Sequence, residues 1–254
     1  MIPARVFVII PALNEAASIG GVVTAMVPTA TAVIVVDNGS TDETALRATQ
    51  AGGHMVSVPT PGYGRACLAG IAHLCTDEWA PHDNITDNDI VVFMDGDAAD
   101  DPGDLPHLLA PLEKGTADFV VGSRLQGAVG SEQRPTRVEP HALTLPQRLG
   151  NTLACGLMRM IWGGPFTDLG PFRAIRYGAL KSLNLDAQTY GWTVQMQARA
   201  LKQNLRVAEV PVHYRRRVGQ SKISGTVKGV ILAGFYILSV IGLEAMRDFP
   251  MRRP

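Results

Sequence analysis

Two aspartates flank one glycine at Asp95-Gly96-Asp97, directly behind the apolar run Asp89–Met94. Carboxylates at that spacing can meet one hard cation, and the glycine lets the backbone come close to it. Mg²⁺ in particular binds through one or two carboxylates together with substrate phosphates. Internal counter-charge is scarce here, since residues 66–113 hold nine Asp, two Glu and no Lys or Arg. Within that stretch Asp83, Asp87, Asp100, Asp101 and Asp104 read as a solvated acidic loop, whereas Asp95 and Asp97 read as metal ligands. Two more polar clusters follow apolar runs, Pro11-Ala12-Leu13-Asn14-Glu15 and Asp37-Asn38-Gly39-Ser40-Thr41-Asp42. Helix capping explains Ser40 or Thr41. It does not explain Asp95 and Asp97, which stand at the end of a strand.

The elements that must position these residues are legible from periodicity. Val6–Ile10, Ala32–Val36 and Asp89–Met94 are continuous and rich in β-branched residues, as in strands buried on both faces of a parallel sheet. Helical patterns at Ala16–Met26, Asp42–Ala51, Ala66–Leu74 and Leu105–Glu113 separate these runs and the short strands His54–Val58 and Phe119–Val121. Such alternation predicts an α/β fold with a mostly parallel central sheet flanked by helices. Ligands of such sheets bind beyond the carboxyl ends of the strands, where the three acidic clusters fall. Gly127–His141 reads as a loop, Leu145–Trp162 and Thr193–Lys202 as helices, and Arg206–Tyr214 as an alternating strand. The basic loop Arg215–Ser224 then leads into an apolar helix, Thr226–Met246. Its uncharged core Gly229–Leu243 reaches only ~22 Å as a helix, short of the ~30 Å hydrocarbon layer. Residues 1–225 are therefore expected to form one domain, with 226–254 a C-terminal helix and tail that lies on a membrane or packs on a partner.

Formal net charge is zero, with 23 Lys+Arg against 23 Asp+Glu, but the signs are separated. Residues 1–198 hold 12 basic and 20 acidic side chains, and residues 199–254 hold 11 basic and 3 acidic. The Arg215-Arg216-Arg217 run lacks the interleaved aromatics of a base-stacking surface, which argues against nucleic acid. Cys67, Cys75 and Cys155 form no CxxC pair, so they read as buried free thiols in a reducing cytosol. There is no GxGxxG and no GxxxxGK[ST], which removes the dinucleotide and P-loop fingerprints. Pro61-Gly62-Tyr63-Gly64-Arg65 reads as a plain turn, and His213 as an ordinary surface histidine.

In order along the chain, Ile10-Pro11-Ala12-Leu13-Asn14-Glu15, Val36-Asp37-Asn38-Gly39-Ser40-Thr41-Asp42, Met94-Asp95-Gly96-Asp97, Gly122-Ser123-Arg124, Thr167-Asp168-Leu169-Gly170-Pro171-Phe172-Arg173 and Arg216-Arg217-Val218-Gly219-Gln220-Ser221-Lys222 resemble the family 2 glycosyltransferases of the GT-A fold. The resemblance is to the dolichyl- and polyprenyl-phosphate sugar transferase branch. It implies that Pro11, Asn14, Glu15, Asp37 and Ser40 line a nucleotide pocket, with Glu15 and Asp37 touching ribose or base. It implies that Asp95, Gly96 and Asp97 are the DxD motif, holding Mg²⁺ or Mn²⁺ on a donor diphosphate. Arg124, Arg216 and Lys222 become the cations that face donor and acceptor phosphates. The implied activity is inverting transfer of a hexose from UDP-glucose or GDP-mannose, with polyprenyl phosphate the leading acceptor, at the inner face of the membrane.

The chemistry of that expectation is coherent. Charge develops on a departing diphosphate, and a divalent cation with Arg and Lys stabilises it. A phosphate acceptor brings its own nucleophilic oxygen. A hydroxyl acceptor needs a base, for which Asp168 is the candidate. Relatives often carry an acid on the helix around Trp192–Met196, where this chain has Gln195. The alternatives are transfer to a hydroxyl of a soluble or saccharide acceptor, and a non-catalytic protein that binds nucleotide sugars.

Overall fold

The structure is a computed structural model that describes residues 4–76, 85–126, 138–219 and 227–248. Seven strands form one sheet: β1 (Val6–Ala12), β2 (Ala32–Asp37), β3 (His54–Ser57), β4 (Ile90–Phe93), β5 (Phe119–Ser123), β6 (Arg173–Arg176) and β7 (Val207–Pro211). Their order across the sheet is β3-β2-β1-β4-β6-β5-β7. The first four strands are mutually parallel, β5 and β7 are parallel, and β6 runs against both β4 and β5. The helices are α1 (Ile19–Met26), α2 (Thr44–Gln50), α3 (Tyr63–His73), α4 (Leu105–Glu113), α5 (Leu145–Trp162), α6 (Tyr177–Ser182), α7 (Trp192–Lys202) and α8 (Val227–Asp248).

The unbroken apolar runs follow from burial on both sides. Phe7, Ile9, Ile34, Val36, Val91 and Phe93 enter one core together with Trp192 and Met196 of α7. Val8, Ile10, Val33, Val35 and Val92 enter the other, with α1 and α4. A period of two with both faces apolar leaves no polar alternation to read.

Strand β6 and helix α6 have no counterpart in the sequence reading. A four-residue strand bounded by Arg173 and Arg176 offers no apolar run. Arg173 is nonetheless fully buried. Its guanidinium donates to the carbonyls of Leu169, Gly170 and Thr193, which satisfies the charge by backbone dipoles. Because β6 is antiparallel, its first residue, Arg173, pairs with Phe93 at the carboxyl end of β4 and with Val121 of β5. The segment entering β6 therefore reaches the same sheet edge as the acidic loops. Gly170 in that segment passes so near the backbone that a Cβ would lie 2.1 Å from the Gly122 carbonyl oxygen.

Helix α8 packs on α5 and α7. It is pinned near its end by Glu244, buried at 2% exposure, which meets Arg199 at 2.8 Å, Arg247 at 2.9 Å and Lys202 at 3.2 Å. Gln195 belongs to this cluster, donating to Asp186 at 2.7 Å and to Glu244 at 3.3 Å. Among the described residues no helix is long and apolar enough to cross a membrane. Glu244→Ala is expected to lower stability by about 3 kcal/mol, since it strips a buried acid from three cations. Urea denaturation measures this, with Glu43→Ala, at an exposed surface pair, changing it by under about 1 kcal/mol.

Candidate active site

Two loops leaving neighbouring strands are stitched together before any ligand is considered. The Asn14 backbone N–H donates to Ser40 Oγ at 2.9 Å, and the Thr41 N–H donates to Asn14 Oδ1 at 2.7 Å. Asp37 accepts the Ser40 N–H at 3.0 Å. Asn38, buried, donates to the carbonyls of Val58 and Thr60 and accepts the Gly62 N–H at 2.7 Å. These bonds fix the rim of a cleft of about 220 Å³ lined by Pro11, Glu15, Asn38, Tyr63, Asp95, Gly96 and Asp97. Of the residues expected to line a nucleotide pocket, Pro11 and Glu15 line this cleft. Asn14 and Ser40 instead join the two loops through their side chains, while Asp37 accepts the Ser40 N–H within its own loop.

A second cleft, about 340 Å³, opens on the other side of the acidic pair. It is lined by Arg124, by Gln147 and Gly150 of α5, by Leu169 and Pro171 before β6, by Thr193 of α7, by Tyr214, and by Gly234 and Ile237 of α8. Tyr63, Asp95, Asp97, Tyr190 and Arg217 belong to both clefts and form the partition between them.

Asp95 and Asp97 differ in their surroundings. Asp97 Oδ1 accepts the Ala99 N–H at 2.9 Å, and Oδ2 meets the Arg217 guanidinium at 2.8 Å. Asp95 Oδ1 is buried with no hydrogen-bond partner, beside the equally unpartnered Tyr63 hydroxyl. Burial, then the charge of Asp97, pushes Asp95 up to about 7 against the pull of Arg217 and Arg124. An orphaned buried carboxylate next to a second one fits a cation.

Asp100 corrects the reading of a solvated loop. It is buried, neither oxygen has a partner, and burial followed by the charges of Asp95 and Asp97 holds its carboxyl well above the usual range. Asp104 is also buried and takes the His213 ring Nδ1 at 2.9 Å, so His213 is no ordinary surface histidine. The supposed plain turn supplies Pro61, Gly62 and Tyr63 to the first cleft. Cys67 and Cys155 are buried as expected, but Cys75 is exposed, with Sγ 2.9 Å from the Tyr177 hydroxyl.

Asp168 is not disposed as a base. It is fully buried and accepts from Arg124 Nε at 2.7 Å, Arg124 Nη2 at 2.8 Å, the Arg124 N–H, Asn151 Nδ2 at 2.6 Å and the Leu169 N–H. Burial raises its carboxyl, but the charge and hydrogen bonds of Arg124 outweigh that and hold it below the ordinary value. Its work is to hold Arg124, whose guanidinium also stands 4.9 Å over the Tyr214 ring in the second cleft. Gln195 likewise faces the Glu244 cluster and lines neither cleft. Arg216 donates to the Pro140 carbonyl at 2.9 Å, so the arginine that reaches the acidic pair is its neighbour Arg217. Lys222 lies outside the described residues. Tyr63, Tyr190, Tyr214 and Arg217 were missed by sequence reasoning, and of these only Arg217 carried a signal, its place in the basic run.

Asp168→Asn is expected to cost about 3 kcal/mol or more, because Arg124 is left buried without its counter-charge. Thermal unfolding at neutral pH measures it. Asp95 carries the opposite sign. Its folded value of about 7 lies above the 3.8 of a free carboxyl. The stability it supplies is thus present below about pH 4 and lost as pH rises through 7. In metal-free buffer at pH 8, Asp95→Asn is expected to melt roughly 3–8 °C above the parent. The gap closes by pH 4, and an equal gap at both pH values contradicts the assignment.

Comparison with known proteins agrees with the geometry. Residues 7–182 match the family model described as glycosyl transferase family 2. An uncharacterized glycosyltransferase of Mycobacterium tuberculosis is 36% identical over 231 residues, covering 90% of this chain and 94% of the relative. An undecaprenyl-phosphate mannosyltransferase of Micrococcus luteus is 30% identical over 239 residues, covering 89% and 90%. Among solved structures, glucosyl-3-phosphoglycerate synthase from Mycobacterium tuberculosis superposes with a TM-score of 0.72 at 23% identity, over 96% of this chain and 80% of that one. A complex of the same enzyme contains Mn²⁺, uridine-diphosphate-glucose and phosphoglyceric acid, with a TM-score of 0.71. The sheet is thus that of a GT-A fold, and the chain belongs to glycosyltransferase family 2.

Proposed function

We propose that this chain transfers a hexose from a nucleoside diphosphate sugar to a polyprenyl phosphate, with a divalent metal held at Asp95 and Asp97. The donor lies in the first cleft, its base and ribose against Pro11, Glu15 and Asn38. Mg²⁺ or Mn²⁺ at the acidic pair supplies charge stabilisation for the departing diphosphate. The metal reading draws on the orphaned Asp95 oxygen, and the structural neighbour's complex with Mn²⁺ and uridine-diphosphate-glucose makes UDP-glucose the first donor to try, ahead of GDP-mannose.

The acceptor occupies the second cleft with its phosphate toward Arg124. Asp168 keeps that guanidinium aimed and charged, and Tyr214 supports it from below. An acceptor phosphate oxygen attacks the anomeric carbon, and the bond from that carbon to the diphosphate breaks. The electron pair leaves with the nucleoside diphosphate, and a single displacement inverts the centre. Among the described residues, the second cleft has no carboxylate other than Asp95 and Asp97. A phosphate acceptor needs no base, so these residues suit it better than a hydroxyl.

One observation carries the lipid. The second cleft opens between α5 and α8, and the outward faces of both helices are apolar. Leu145, Leu149, Leu153 and Met160 on α5, and Leu232, Phe235, Leu243 and Met246 on α8, are each 42% exposed or more. Apolar residues at this density mark an interaction surface. The charged residues of α5 are Arg148 and Arg159, both exposed; on α8, Glu244 is buried and Arg247 is exposed. Leucines and phenylalanine edged by arginine suit the headgroup layer of an anionic membrane. A lipid phosphate drawn from that layer enters the cleft between the two helices.

Flotation on vesicles containing anionic lipid is expected to carry the protein upward, and Leu149→Glu with Phe235→Glu to abolish it. The same variant keeps transfer to a short, water-soluble prenyl phosphate. EDTA or Asp97→Ala is expected to reduce transfer at least 100-fold. Transfer to a saccharide hydroxyl but never to a prenyl phosphate rejects the lipid acceptor.

A further inference from the structure

Arg217 lies on the outer oxygen of Asp97. Its Nη2 is 2.8 Å from Asp97 Oδ2 and 3.5 Å from Glu15 Oε1. The other oxygen of Asp97 is spent on the Ala99 N–H. Backbone hydrogen bonds clamp the segment that bears Arg217 to the acidic turn, from the Arg215 N–H to the Ala99 carbonyl at 2.8 Å and from the Val218 N–H to the Asp97 carbonyl at 2.9 Å. The side chain itself is 31% exposed and lies in the partition between the clefts. Its Nε is buried with no hydrogen-bond partner, so one donor goes unsatisfied in this pose.

We propose that Arg217 is a resident counter-cation of the acidic pair, which a divalent ion must displace from Asp97 and which the donor diphosphate then receives. This rests on the metal-and-donor reading above. A guanidinium and a divalent ion on the same carboxylate oxygen repel each other, so the arginine weakens metal binding there until it moves away. Displacement needs no backbone movement, only rotation of a long side chain about a clamped Cα. Both clefts border that side chain, so the guanidinium remains within the site after it leaves Asp97. A diphosphate offers it paired oxygens, for which the planar fork of arginine is suited.

The consequence is thermodynamic coupling. Without nucleotide, Arg217 competes with the metal. With nucleotide bound, the competitor has another partner, so each ligand strengthens the other's binding. A metal-free site also keeps Asp97 neutralised, which stabilises the acidic turn before any ligand arrives.

The test is Mn²⁺ titration followed by the paramagnetic resonance signal of the free ion, with and without UDP. Arg217→Ala is expected to bind Mn²⁺ roughly fivefold or more tightly than the parent in the absence of UDP. The enhancement of Mn²⁺ binding by UDP shrinks by a similar factor. Arg217→Lys, which keeps the charge, stays near the parent, and Arg47→Ala, at a remote surface pair, matches it. Circular dichroism confirms that each variant is folded, and Arg217→Gln carries the same comparison if the alanine variant melts early. Unchanged or weaker Mn²⁺ binding by folded Arg217→Ala or Arg217→Gln without UDP, while UDP still enhances binding, overturns the resident cation alone. Absence of Mn²⁺ binding in every variant, with UDP or without, overturns the metal reading together with it.

Discussion

The carboxylate of Asp168 holds together the wall of the second cleft that carries Arg124. It receives both arms of Arg124 from the end of β5, the amide of Asn151 from α5 and its neighbour's N–H. Its own N–H goes to Glu209 of β7, and its carbonyl accepts from Gln197 of α7. Two strands and two helices therefore meet at one residue. A buried ion pair of this kind repays its desolvation only through complete hydrogen bonding. That requirement fixes where Arg124 points, and hence where the second cleft has its positive wall.

The first cleft obeys a different constraint. Parallel strands end together, and their exits carry Glu15, Asn38, Asp95 and Asp97 to one edge. Side chains of Asn14 and Ser40 hold two of those exits in register. The separation of sign along the sequence is resolved at the partition. The acidic stretch supplies Asp95 and Asp97, and the basic C-terminal stretch supplies Arg217, so charges 120 residues apart in the chain neutralise each other across 2.8 Å.

What the sequence disclosed tracks how each element announces itself. The strands buried on both faces were legible because an unbroken β-branched run of that length suits little besides a fully buried strand. The acidic pair was legible because it follows such a run at once. Strand β6 was not, since its arginines are neutralised by carbonyls that only the folded chain brings near. Asp168 stood out correctly as a residue of consequence, but its role was misread, because a local motif does not reveal that Arg124 and Asn151 converge on it. Arg216 and Arg217 are adjacent in a run of three, and only the strand exit at β7 decides which of them turns inward. Asp100 and Asp104 look like solvent-facing acids in any local window, yet both are buried.

The antiparallel course of β6 gives the two clefts unequal freedom to diversify. The rim of the first cleft is made of loops that leave their strands and return through helices at the surface, so their tips can lengthen or change with little effect on the sheet. The wall formed by Leu169 and Pro171 is instead the lead-in to a strand in the sheet's interior, between β4 and β5. Gly170 there is pressed against the backbone of Gly122. Exchange of that wall for one that accepts another molecule would shift a central strand with it. The parts of the same cleft that the sheet does not hold are those on α5, α7 and α8, and they are freer to change.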